Sequence, residues 1–127
     1  MSFDIIRTDQ APAASGPCSQ AVRRGDLIAT SLQTARDPHS GTLVGQDPAT
    51  QIHRCLCNLQ AILEAAGSSL AGALRVTVYL TDLAALPAVD LVYAEFFPVD
   101  APAREVIGVS GLPDGALAGV AALAVRH

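Results

Sequence analysis

The sequence predicts an α/β (α+β) fold, a mixed sheet with two helices packed on one face, and three observations carry that prediction. Segments with the two-residue period of strands are interleaved with two stretches of helical period, residues 48–66 and 87–97. The last apolar stretch, 116–125, sets Leu117, Leu123 and Val125 on one face and Ala118, Val120 and Ala122 on the other, so neither face expects water. Two helices can cover only one side of such a sheet, which leaves the other side for neighbouring copies of the chain.

The elements follow in order. Residues 3–7 read as a first strand and 11–17, rich in Ala, Pro, Ser and Gly, as a loop. Residues 19–24 and 27–31 are two strands meeting at the turn Arg24, Gly25, Asp26, which makes a hairpin. Asp37, Pro38 and Gly41 carry turn chemistry, since Pro fixes φ and Gly accepts a left-handed conformation. The helix over 48–66 has Asp47 as its cap, Pro48 in the first turn and Gly67 as its stop. Its apolar stripe is Ile52, Leu56, Leu59, Leu63 and Ala66, flanked by Cys55 and Ile62, with His53, Arg54 and Gln60 outward. Residues 74–80 alternate as a strand, with Val76, Val78 and Leu80 on one face, before a break or cap at Thr81 and Asp82. The second helix, 87–97, buries Val89, Val92, Tyr93, Phe96 and Phe97 and stops at Pro98; strands at 104–109 and 116–125 complete the set.

At 127 residues with no linker, repeat or low-complexity tract, residues 1–127 are expected to form one domain. Half the residues are apolar but aromatics make up 4 % and Trp is absent, so the core is built from Ala, Val, Leu and Ile. A formal charge of −4 with no basic cluster beyond Arg23 and Arg24 argues against nucleic acid as a partner. No segment approaches the roughly 20 apolar residues of a membrane span, and the first residues lack an export signal, so a cytoplasmic protein without membrane contact is expected. Three cysteines, Cys18, Cys55 and Cys57, suggest free thiols rather than a disulfide framework. Cys55 and Cys57 stand about 200° apart around a helix and cannot share a metal ion, and His39, His53 and His127 have no unifying motif; no metal site is expected.

Arg104, in Pro102-Ala103-Arg104 at the mouth of an apolar strand, is a fixed positive charge whose planar fork suits a small carboxylate; a surface ion pair is the plain alternative. Its neighbour Glu105 points to the opposite face by strand alternation and is not its partner by default. Tyr93 and Phe96 read as core residues.

The order of elements, with Gly16-Pro17, Thr30-Ser31-Leu32-Gln33, Glu64-Ala65-Ala66-Gly67, the run Val76 to Leu83, Tyr93 with Phe96-Phe97, Pro102-Ala103-Arg104 and Leu112-Pro113, resembles the Rid (YjgF-like) family over nearly the whole chain. The resemblance implies a chorismate-mutase-like fold, a homotrimer, and inter-subunit clefts that bind small carboxylated metabolites. It also implies cofactor-free deamination of reactive imines and enamines, such as 2-aminoacrylate, to keto acids and ammonia. Arg104 matches the family's carboxylate-binding arginine and Ser31 the serine of its Ser-Gly-Gln segment.

Other positions depart from the deaminase pattern. Cys18 stands in place of Tyr, Leu32 in place of the middle Gly, Asp90 in place of Asn, Val106 in place of Cys, and Gly119 in place of the glutamate associated with the reactive water. A group that relays a proton is typically worth about two to four orders of magnitude in rate, so three readings stand side by side. These are slow deamination anchored by Arg104, a different reaction in the same cleft, and ligand binding without turnover. Cys18 is a nucleophile or acid if it shares a cleft with Arg104, and otherwise a small packed residue. Asp90 supplies the missing acid/base group if it faces the cleft; a solvated position on the second helix is the favoured expectation. Ser31 and the backbone at Val106 and Gly119 are expected to line the ligand. A ribonuclease role, claimed for some relatives, fits the acidic chain poorly.

Overall fold

The computed structural model describes residues 3–127. Its strands are β1 (Asp4–Ile6), β2 (Ala21–Arg24), β3 (Leu27–Thr30), β4 (Ala73–Leu80), β5 (Ala103–Gly108) and β6 (Ala118–Val125), and its helices α1 (Pro48–Ala65) and α2 (Leu86–Phe96). The strands form one sheet in the order β1-β2-β3-β6-β4-β5. β3 and β4 are each antiparallel to β6 and so run parallel to one another, and β4 is parallel to β5. Each helix therefore joins two like-directed strands, a connection too long for a turn, and both helices lie on the same face. This is the chorismate-mutase-like arrangement.

The helix ends are made by the residues that mark them in the sequence. Asp47 caps α1 by accepting from the Thr50 N–H at 2.9 Å, and Gly67, at φ +85°, ends it. Arg23 reaches across from β2 to donate to the Ala66 carbonyl at 2.6 Å, placing a cation at the helix C-terminus, while also pairing with Asp4 at 3.0 Å. Asp82 accepts from the Ala84 N–H at 3.0 Å and caps a short 3-10 turn, Leu83–Ala85, which leads into α2 one residue earlier than expected.

The strand registers sort every side chain to a face. Ile28 opposes Ala124, Val76 opposes Ala122, and Val78 opposes Val120; all are buried beneath α1, whose Ile52, Leu56, Leu59 and Leu63 are fully buried. Burying such side chains is worth about 1.5–3 kcal/mol each, which makes this layer the main source of stability. The other face carries Ile5, Leu27, Ala29, Leu123, Val125 and Ile107, and among the described residues no helix covers it: Ile5 is 47 %, Leu27 48 % and Ile107 41 % exposed. The final strand is thus apolar on both faces but dry on only one.

Candidate functional site

The two halves of the expected site start from different parts of the sheet. A cleft of ≈ 350 Å³ lies between the loop before β2, the segment after β3 and the turn before β6. Its lining includes Ser15, Cys18, Ser19, Ser31, Leu32, Gln33, Thr34, Arg36 and Asp114. Arg104 is not in that lining. It lies on β5 opposite Val76, hence on the helix-covered face, and β6 and β4 separate its strand from β3 by three inter-strand steps, about 14 Å. Cys18 and Arg104 therefore do not share a cleft within one chain.

Three buried amides fix loop backbone in and around the cleft. Gln20 donates to the Thr8, Ala11 and Pro12 carbonyls and accepts from the Thr8 N–H at 2.7 Å, fastening the loop ahead of β2. Asn58, fully buried on α1, donates to the Thr34 and Arg36 carbonyls at 3.1 and 2.9 Å. Gln51 joins the Gly45 carbonyl at 3.1 Å to the Leu117 N–H at 2.8 Å, setting the approach to β6. Buried amides with their hydrogen bonds met hold loop backbone that apolar packing cannot.

Cys18 is exposed rather than packed. Its Sγ lies 3.2 Å from Ser31 Oγ and 3.4 Å from the Ser19 carbonyl. The Ser31 hydroxyl donates to the Ser19 carbonyl at 2.6 Å, and the Cys18 thiol lies against both groups.

Gly119 is buried, opposite Tyr79 on the uncovered sheet face. A Cβ at this position would lie 2.7 Å from Leu32 Cδ1 and 3.6 Å from Leu32 Cγ. The backbone there is fixed by the pair of hydrogen bonds between Gln33 and Val120, at 2.7 and 2.9 Å. The two sequence departures are one structural feature: the Leu32 side chain occupies the space that a residue-119 side chain would need.

Arg104 Nη1 donates to Asp90 Oδ1 at 2.6 Å, with side-chain exposures of 29 % and 42 %. Asp90 is thus a partner of the arginine while still open to solvent on the second helix, and the contact is the ion pair weighed for Arg104 as the plain alternative. The guanidinium carbon sits 4.9 Å above the Tyr93 ring, and Tyr93 packs on Phe97 at 4.7 Å between ring centroids. Tyr93 Oη is buried with no hydrogen-bond partner among the described residues. Burial pushes its pKa up; Arg104 opposes that shift and Asp90 reinforces it. Val106, next but one to the arginine, is half-buried on the same face and packs on the core. Glu105 points the other way, bonded to Thr77 at 3.0 Å and 3.6 Å from Arg75.

The geometry can be set beside known proteins. The sequence model of the endoribonuclease L-PSP family matches residues 8–126. A RutC family protein of Pyrococcus abyssi is 40 % identical over 127 residues, covering all of both chains. The chain belongs to the Rid (YjgF-like) family. A 2-iminobutanoate/2-iminopropanoate deaminase of Capra hircus is 39 % identical over 122 residues, 96 % of this chain and 89 % of that one. The crystal structure of Escherichia coli TdcF with bound serine superposes with a TM-score of 0.92 at 35 % identity, covering 98 % of this chain and 99 % of that one. Rid relatives of this chain thus include enzymes named for imine deamination.

Sequence reasoning missed two residues of the cleft. All eight basic side chains of this protein are arginines, and Arg36 is the one that lines the cleft. Its signal was its place immediately before the Asp37-Pro38 turn, at the end of the Ser31 segment. Asp114, held at φ +59° in the turn before β6, puts a carboxylate in the same lining. Among the described residues no helix is long and apolar enough to cross a membrane.

Proposed function

We propose that this protein is a cytoplasmic homotrimer that binds a small carboxylated imine or enamine at its subunit boundaries and hydrolyses it to a keto acid and ammonia. The observation that carries the reading is the cleft lined by Ser31, Gln33 and Thr34 in a chain 39 % identical to a named 2-iminobutanoate/2-iminopropanoate deaminase. The uncovered apolar sheet face supports the trimer, because exposed Ile5, Leu27 and Ile107 gain most by packing on a second copy. Assembly is also the route by which Arg104 of one subunit meets the Cys18 and Ser31 cleft of another.

The reaction is chemically modest. Water adds to the C=N carbon as the π pair moves to nitrogen and takes a proton; the carbinolamine then expels ammonia as its hydroxyl proton leaves. The sum is imine plus water giving keto acid plus ammonia, with no redox change and no demand for a cofactor. The tasks left to the protein are to hold the carboxylate, exclude competing poses and steady the polar atoms. Ser31, the backbone near Gly119 and the strand backbone at Val106 are assigned the lining role, and Asp90 and Cys18 are the groups able to move a proton.

A second reading is supported by Leu32 filling the space at Gly119: the cleft binds its metabolite without turning it over. A third, a different reaction through Cys18, has only the Ser31 contact in its favour. Freshly generated 2-iminobutanoate or 2-aminoacrylate separates them. Keto-acid release faster than the buffer control is expected, and release at the buffer rate would refute deamination. A Cys18→Ser variant with full activity would remove the third reading.

A further inference from the structure

We infer that Leu32 is the wall of a side-chain subsite in the cleft and selects ligands that carry a short aliphatic side chain, a role that rests on the cleft being the ligand site proposed above. In that reading the carboxylate goes to Arg104 across the subunit boundary, since Arg104 is not in the lining of its own chain's cleft. The far end of the ligand is then left to the groups of the cleft itself. Leu32 is half-buried and lines that cleft, while its Cδ1 fills the space above Gly119, 2.7 Å from where a Cβ would lie. The side chain is thus already seated against β6. Its backbone is held on both sides: the Ser31 N–H donates to the Gln20 carbonyl at 2.9 Å and the Gln33 N–H to the Val120 carbonyl at 2.7 Å. A wall fixed in this way presents the same apolar surface to every ligand.

The rest of the lining favours the same kind of side chain. Pro12, Ala13, Ala14 and Pro113 add apolar surface to it. The Gln20 amide, also in the lining, is spent on the Thr8, Ala11 and Pro12 carbonyls. Arg36 and Asp114 contribute one charge of each sign, so no net charge draws an ionic side chain in. At ≈ 350 Å³ the cleft stands at the lower end of the range for ligand sites, about 300–1,000 Å³, which suits a small metabolite. Each methylene that such a wall takes out of water is worth about fourfold in affinity.

The test is calorimetric binding of stable 2-oxo acids to the full-length protein: pyruvate, 2-oxobutanoate, 4-methyl-2-oxopentanoate and hydroxypyruvate, the last a polar match for 2-oxobutanoate. Affinity is expected to rise about tenfold or more from pyruvate to 4-methyl-2-oxopentanoate, with hydroxypyruvate weaker than 2-oxobutanoate. Leu32→Gln, which keeps the volume and loses the apolar surface, should flatten the series to within about twofold, and Leu32→Met should keep it. Leu32→Ala gives the same reading where the Gln variant does not fold, its rise along the series being about threefold smaller than the parent's. A parent whose affinity is flat or falls with side-chain length, or that binds none of these acids, would overturn the proposal. So would a folded Leu32→Gln or Leu32→Ala with the parent's full gradient. Keto-acid release from 2-iminopropanoate and 2-imino-4-methylpentanoate keeps the two ideas apart. A Leu32-dependent gradient without turnover removes the deaminase and keeps the subsite, whereas turnover with a flat series removes the subsite and keeps the deaminase.

Discussion

Gly119→Ala, the smallest change that tests the coupling between Leu32 and Gly119, adds one carbon that would sit 2.7 Å from Leu32 Cδ1. The next contact, 3.5 Å to the Gln33 carbonyl, is ordinary van der Waals distance, so the strain falls on the end of a flexible side chain. Pushing Leu32 away from its preferred rotamer costs about 0.5–1.5 kcal/mol. For a domain of this size 1 kcal/mol corresponds to roughly 3–5 °C, so Gly119→Ala should lower the melting temperature by about 2–6 °C. Leu32→Ala opens the space, and the double variant should be more stable than the sum of the singles by about 0.5–1.5 kcal/mol. Circular-dichroism melts of the four proteins measure this directly. Additivity within about 0.3 kcal/mol would refute the argument that Leu32 fills the residue-119 space. The functional counterpart is sharper: Gly119→Glu alone should restore little, because Leu32 blocks it. Leu32→Gly with Gly119→Glu should raise 2-iminopropanoate hydrolysis by about 100-fold, the usual worth of a placed acid/base group.

Three further outcomes are expected. Asp90→Asn removes the charge that occupies Arg104; surface-type pairs are worth about 0.2–1 kcal/mol, so pyruvate titrations should show affinity rising up to about fivefold, and a fall would mean that Asp90 helps to bind ligand. Thiol labelling should proceed in the order Cys18, then Cys57, with Cys55 silent until unfolding, because Cys18 is exposed while burial pushes the Cys55 thiol up to about 12; early labelling of Cys55 would contradict its packing under β6. Hydrogen bonds from Thr50 hold the Asp47 carboxyl below its ordinary 3.8. A depressed folded-state pKa adds stability above the unfolded value that is lost as pH falls through the folded one. Asp47→Ala should therefore lower the melting temperature at pH 7, and the gap should narrow below about pH 4; a gap independent of pH would deny the carboxylate its role.

The parts of the fold written in local chemistry were legible in the sequence. Asp47, Pro48 and Gly67 mark α1 because capping is decided within a few residues, and the apolar stripe from Ile52 to Ala66 gives its buried face by period alone. The sheet order was not legible, since pairing of β6 with both β3 and β4 depends on contacts far apart in the chain. The site divides in the same way. The charge and geometry of Arg104 could be read from residue type, but its bond to Asp90 needed the approach of α2 to β5. Leu32 and Gly119 could each be seen as a departure from the deaminase pattern. That one fills the space of the other follows only from the pairing of Gln33 with Val120. Arg36 escaped notice because an arginine beside a turn looks like solvated punctuation until the fold places it in the cleft lining.

The place of β6 has a consequence for how the protein is made. It follows every other strand in the chain yet lies in the middle of the sheet, between β3 and β4. Until it emerges from the ribosome, the β1-β2-β3 hairpin unit and the β4-α2-β5 unit share no strand and α1 has no complete floor to lie on. The nascent chain must therefore carry Ile52, Leu56 and Leu59 incompletely covered until that strand is made, and closure waits on the insertion of a single eight-residue strand, Ala118–Val125. Ribosome-bound chains halted before Ala118 should remain open to proteases at α1, and chains released beyond Val125 should become resistant together, in one step.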